Sequence, residues 1–137
     1  MDTNVVSELM LPLRSAKVVT WISERRFVDE VCLTAVNVAE ILYGIQLLPE
    51  GKRRERLRAA ADSMFAEDFA DKILPFEESA ARVFGELVTM RRSQGRPISQ
   101  FDAQIAAIAK VNMATIATRN TSDFEGCGIR LVNPWVD

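Results

Sequence analysis

Apolar residues recur along this chain in two rhythms: short unbroken runs, and stripes three or four positions apart. Val31-Cys32-Leu33-Thr34 is the first short run and reads as a buried strand, with Thr34 placed to cap the following helix. In that helix Val38, Ile41, Leu42, Ile45 and Leu48 form one stripe at helical spacing, and Val36, Tyr43 and Leu47 form a second. Two apolar faces predict a helix buried nearly all round. Glu40 falls on the second stripe, where a carboxylate is costly unless something pairs with it. Leu48-Pro49-Glu50-Gly51 interrupts the pattern, and residues 52–69 resume as an amphipathic helix through Leu57, Ala61, Met64, Phe65 and Phe69. Ile73-Leu74-Pro75-Phe76 reads as a short strand at a sheet edge or strand end, because proline cannot donate to an interior ladder. Residues 77–93 predict a helix with Ala80, Val83, Phe84, Leu87 and Val88 inward, and Gly95 as its terminator. Ser99 caps a helix carrying Ile105, Ile108 and Ala109, and residues 115–118 and 129–132 close the chain as strands.

Strands alternating with helices predict an α/β fold, a mainly parallel sheet flanked by helices, in one domain over residues 1–137. No internal repeat or linker divides it. In such sheets ligands bind outside the carboxyl ends of the strands. Asp2, Glu40, Asp102 and Asp123 each fall just after a strand or at the start of the next helix, so they could converge on one crevice. Each has an ordinary alternative. Asp102 is a candidate capping-box acid three residues after Ser99, although helical geometry turns it toward the side of Ile105, Ala106 and Ala109. Asp2, with Thr3 and Asn4, could simply start a helix. Asp123 and Asn120 could be turn residues. Their joint placement is what lifts them above chance.

Composition sharpens the chemistry. The 137 residues contain no histidine and two cysteines, Cys32 and Cys127, in unlike contexts. That rules out a four-ligand Cys/His zinc site and a histidine-activated nucleophile, and gives no disulfide framework. Cys32, in its apolar run, reads as a small core residue. Oxygen ligands without imidazole suit a hard cation such as Mg²⁺ or Mn²⁺. The net charge of −2 offers no global basic field, although Lys52, Arg53, Arg54, Arg56 and Arg58 form one basic run and Arg91, Arg92 and Arg96 another. Each run reads first as a solvated helix face and second as a surface for RNA. Gly126-Cys127-Gly128 lacks the spacing of a phosphate-binding loop. No segment is long and apolar enough to span a bilayer and no signal sequence opens the chain, so a cytoplasmic protein is expected.

Four blocks together resemble a known family: Met1-Asp2-Thr3-Asn4-Val5-Val6-Ser7-Glu8-Leu9, Asn37-Val38-Ala39-Glu40-Ile41-Leu42-Tyr43-Gly44, the stretch from Gly95-Arg96-Pro97 through Ser99-Gln100-Phe101-Asp102-Ala103 to Ala109, and Ala117-Thr118-Arg119-Asn120-Thr121-Ser122-Asp123-Phe124. In order and over essentially the whole chain they resemble PIN-domain ribonucleases, specifically the VapC and FitB-like toxins of type II toxin–antitoxin systems. The ending Val132-Asn133-Pro134-Trp135 is similar to that branch as well. The resemblance implies an acidic pocket binding Mg²⁺ or Mn²⁺, with Asp2 and Asp102 as metal ligands and Glu40 and Asp123 completing it. Thr118 and Asn120 would orient those acids or a phosphate oxygen. It implies endonucleolytic hydrolysis of RNA, a homodimer, a cognate antitoxin that occludes the pocket, and operator DNA reached only through that antitoxin.

One departure stands out. The family carries several apolar residues ahead of its first aspartate, in a central strand, whereas here Met1 alone precedes Asp2. Asp2 is therefore expected to be the least firmly held of the four, and the true start to lie a few residues upstream. The competing reading is a PIN-fold binding module that acts in an antitoxin–operator complex and cleaves poorly. A phosphohydrolase working through an aspartyl nucleophile ranks last, because Asp2-Thr3-Asn4 lacks the second aspartate two positions on.

Overall fold

A computed structural model describes residues 1–137. Its elements are α1 (Thr3–Leu9), α2 (Ala16–Arg25), β1 (Leu33–Thr34), α3 (Ala35–Gln46), α4 (Lys52–Ser63), β2 (Ile73–Leu74), α5 (Glu78–Ser93), α6 (Gln100–Val111), β3 (Ile116–Ala117), α7 (Thr121–Phe124) and β4 (Leu131–Val132). One turn of π-helix, Met64–Asp68, extends α4. The strands pair in two parallel ribbons, Leu33 beside Ile73 and Ile116 beside Leu131. The first two residues bridge the ribbons: the Met1 amino group donates to the Cys32 carbonyl (2.8 Å) and the Asp2 N–H to the Ala117 carbonyl (2.8 Å). The parallel α/β arrangement expected from the sequence is present, with each strand cut to two residues. β2 pairs only with β1, which makes it the edge that Pro75 implied.

Local signals account for the helix boundaries. Thr34 and Asn37 form a reciprocal capping box at the start of α3. Gly95, at φ 68°, follows the last turn of α5 in the left-handed conformation that closes helices. Ser99 caps α6 by accepting from the Asp102 N–H. The largest apolar cluster surrounds α6, where Ala103, Ile105, Ala106, Ala107 and Ile108 are buried against Ala80 and Leu87 of α5 and Ile116 of β3. A second cluster joins Val6, Leu33, Ile41, Ile45, Met64 and Phe69. No helix is long and apolar enough to cross a membrane.

Three expectations need correction. The α3 helix is not buried all round: Tyr43 and Leu47 are 63% and 67% exposed, because α1, α4 and α6 cover its other side only. Residues 16–25, which carry no long apolar run, form α2, with Val18 and Ile22, four apart, turned inward. Cys32 is half-buried and Cys127 is the thiol in the core. Arg91 is not on a solvated face but buried.

Candidate active site

The bridge between the ribbons places Asp2 at the carboxyl ends of β1 and β3. Its backbone is extended (φ −77°, ψ 159°) and its side chain caps α1, accepting from the Thr3 N–H through Oδ1 at 2.7 Å. Oδ2 accepts from the Thr118 hydroxyl (2.7 Å) and from Asn4 Nδ2 (2.9 Å). Asp2 is only 6% exposed. With three donors on its carboxylate it is held firmly, contrary to the expectation from its position. Thr118, fully buried at the end of β3, also accepts from Asn4 Nδ2 and from the Asn120 N–H, which ties the β3–α7 loop to the first turn of the chain. Asn120 is exposed and participates through its backbone; its side chain makes no capping bond to α7.

Glu40 reaches the same place from α3. Thr3 Oγ1 donates to Glu40 Oε1 (2.7 Å) and accepts from Asn37 Nδ2 (2.9 Å). The partner that the sequence required for Glu40 is thus a threonine fixed by a buried asparagine. Asp102 stands in the first turn of α6, half-buried, and Asp123 lies within α7 rather than in an open loop, its side chain exposed.

Electrostatics shows that the four acids share one neighbourhood. Burial pushes the Asp2 carboxyl above its ordinary value and the charge of Asp123 raises it further, against the pull of the Thr118 hydroxyl and the Thr3 N–H. Burial likewise raises Glu40, with Asp2 and Asp102 adding to it, while the Thr3 hydroxyl opposes. Asp102 is raised by burial, then by Asp2 and Asp123, against the Ser99 hydroxyl and the more distant Arg91 charge. The enclosed Met1 ammonium is pushed down, chiefly by burial. None of the four carboxylates forms a salt bridge with a lysine or arginine.

Several contributing residues were not singled out from the sequence. Thr3 and Asn4 read only as helix starters, and Asn37 only as part of the block shared with the family. Arg91 gave no signal within its basic run. Its guanidinium donates to the carbonyls of Asp123 and Glu125 (both 2.8 Å) and of Arg96 (2.7 Å), so it pins α7 to α5. Arg91→Met leaves those carbonyls without their charged donor, and urea denaturation is expected to register a loss of about 3 kcal/mol. Thr118→Val removes one donor from the buried Asp2 carboxylate, with an expected loss of about 2 kcal/mol in the same assay. A rise in stability of the valine variant at neutral pH would instead mean that the hydroxyl adds nothing to holding Asp2.

The four acids thus gather at the carboxyl ends of the parallel strands of an α/β fold. Residues 1–126 match the PIN domain, and the chain belongs to that family. It is 35% identical over 137 residues to toxin FitB of Neisseria gonorrhoeae, covering 100% of this chain and 98% of the relative. It is 34% identical over 135 residues to VapC ribonuclease Y4jK of Sinorhizobium fredii, covering 98% and 96%. Its fold matches the solved structure of FitAB bound to a DNA fragment, with a TM-score of 0.87 and 34% identity over 98% of this chain and 93% of that one. The chain therefore lies in the FitB/VapC branch of the PIN domains.

Proposed function

We propose that this chain is an Mg²⁺- or Mn²⁺-dependent endoribonuclease and the toxin of a toxin–antitoxin pair. The observation that supports this most is the mutual charging of Asp2, Glu40, Asp102 and Asp123 with no cationic side chain in salt-bridge contact. An all-oxygen donor set of this kind fits a hard divalent ion. No three acidic or thiol side chains close around a single point. Mg²⁺ commonly keeps several waters and is held by one or two carboxylates together with substrate phosphates. Asp2 and Asp102 are the assigned ligands.

A bound divalent cation would neutralise the phosphodiester and acidify the attacking water. The chain's own residues supply the rest. Asp2, locked by Thr3, Asn4 and Thr118, fixes one wall of the site without needing to rearrange. Glu40 has Oε1 occupied by Thr3, which leaves Oε2 to orient a water and take its proton; the upward shift of its carboxyl favours that role. Asp123, on a helix anchored by Arg91, completes the opposite wall. Asn120, with a free side-chain amide at the rim, would meet a phosphate oxygen.

An antitoxin that covers the acidic pocket and carries the DNA contact is the expected partner, in keeping with the similarity to a FitAB complex bound to DNA. Exposed Tyr43 and Leu47 supply apolar surface of the sort that a homodimer buries. The cytoplasm, where RNA is met, is the assigned compartment. The test is incubation of the purified protein with total RNA in Mg²⁺, in Mn²⁺ and in EDTA, followed by sequencing of new 5′ ends. Cuts at a few sites that require the metal support the reading. No cuts under any condition would leave the weakly cleaving binding module in its place.

A further inference from the structure

Beside the crevice stands a cation that the four acids do not use. Arg119 follows Thr118 at the end of β3, and its N–H donates to Asn4 Oδ1 (3.2 Å), the side chain whose amide holds Asp2. The charges acting on Asp2, Glu40 and Asp102 are those of one another, Asp123, the Met1 ammonium and Arg91; Arg119 is not among them. Its guanidinium lies 4.1 Å from the centroid of the Trp135 ring, against 5.8 Å for Arg25 over Trp21 and 5.7 Å for Arg26 over Phe69, so it alone is stacked in close contact. Trp135 in turn packs on the cluster of Val5, Val18, Ile22 and Ala117. Nη2 meets Glu8 Oε2 at 3.3 Å, and the buried Glu8 is fixed by the Ser15 N–H on its other oxygen (2.6 Å). The guanidinium is thus held at one face and one edge. Nε and Nη1 donate to no group of the protein, and the side chain is 53% exposed. A planar fork ordered in advance is the geometry that recognises a phosphate. From Asp2, the N-cap of α1, to Glu8 the helix climbs about 9 Å.

We propose that Arg119 is a substrate-binding residue: with Trp135 behind it, it grips a phosphate of the bound RNA strand a short way along from the one that is cut. This rests on the ribonuclease reading above. Distance sets the assignment. A guanidinium about 9 Å along α1 from Asp2 is too far to touch a phosphate seated at Asp2 and Asp102, and it is within reach of neighbouring phosphates on the same strand. Trp135 covers one face and Glu8 orients one edge, so little side-chain freedom is left to lose on binding. The ion pairs Arg25–Asp29, Arg58–Asp62 and Arg82–Glu78 lack this preparation: each forms within one helix, with both partners about half exposed or more. Glu8 is 10% exposed and belongs to a different element from Arg119. Lysine could not serve alike, having neither the fork nor the flat face that stacks.

The experiment measures two quantities in the parent, Arg119→Gln, Arg119→Lys and the Glu8→Gln, Arg119→Gln double variant. The first is KM and kcat on an RNA carrying one mapped cut. The second is the salt dependence of binding to a labelled oligouridylate in EDTA, with Asp102→Asn added throughout so that nothing is cut. Arg119→Gln is expected to raise KM by about tenfold with kcat within about twofold, because the contact is made equally before and during the reaction. Its salt slope should fall by about 0.7, the share of one phosphate on a single strand. The double variant should behave like Arg119→Gln. Arg119→Lys keeps the charge, so it should keep the slope and raise KM by roughly threefold; it also decides the matter if glutamine loosens the fold. Unchanged KM and slope in either folded glutamine variant would overturn the proposal, as would an unchanged KM in Arg119→Lys. Recovery of parental values in the double variant would overturn it too, by showing that Arg119 only screens Glu8. A parent that binds RNA with a slope dependent on Arg119 but never cuts would refute the ribonuclease reading and leave this site standing. A parent that cuts with KM and slope indifferent to Arg119 would do the reverse.

Discussion

Asp102→Asn is expected to lower metal-dependent RNA cleavage by about 10²–10⁴-fold, the range lost when a positioned acid or base is removed, while raising the thermal midpoint of the protein. The two effects have one origin. Asp102 is half-buried on the first turn of α6, and the charges of Asp2 and Asp123 act against its ionisation. A neutral amide keeps the shape of the side chain and the backbone cap from Ser99, and it removes a charge that its neighbours oppose. Sites built for function commonly sacrifice stability in this way. The pairing of outcomes separates a site residue from a structural one. If Asp102 served only as a capping-box acid, asparagine would leave cleavage near its original rate. If it held the fold together, the midpoint would fall. The paired measurement is initial cleavage rate on one mapped site and scanning fluorimetry on the same preparation.

Much of the frame around these acids was legible beforehand because its parts obey local rules. Thr34 capping α3, Ser99 capping α6 and Gly95 ending α5 each depend on a few neighbouring residues, and all three stand where the spacing put them. The demand that Glu40 have a partner was also sound, since the cost of burying a carboxylate does not depend on which neighbour meets it. What could not be read is whatever depends on long-range packing. The identity of that partner, Thr3, lies 37 residues away and is fixed by Asn37. The second apolar face of α3 reads from its spacing as a core face, whereas Tyr43 and Leu47 face outward; periodicity shows that a face is apolar and not what covers it. Arg91 is the clearest miss. Its neighbours Arg92 and Ser93 are exposed, and only the fold brings the carbonyls of Asp123 and Glu125 to its guanidinium.

Divalent metal and acid should stabilise this protein by the same route, and each should erase the effect of the other. Asp2, Glu40 and Asp102 all have carboxyls raised in the folded chain above their ordinary values near 3.8, 4.5 and 3.8. Between the ordinary and the raised values the folded state binds more protons than the unfolded one. Stability contributed by these groups therefore falls as pH rises through that window and is regained as pH drops back through it. At neutral pH the crowded charges weaken the fold, and an Mg²⁺ or Mn²⁺ ion among them offsets that. Free metal at about a thousandfold excess over its Kd should stabilise by about 4 kcal/mol at pH 7.5. Near pH 4 the gain should vanish, because protons then occupy the ligands. The control is the Glu40→Gln, Asp102→Asn double variant, which should be more stable than the parent at pH 7.5 without metal, respond little to metal, and lose its advantage near pH 4. Taking the difference between the two proteins cancels the titration of the remaining carboxylates. A metal response of equal size in parent and double variant would place the ion elsewhere on the molecule and remove the electrostatic case for this crevice as the centre of catalysis.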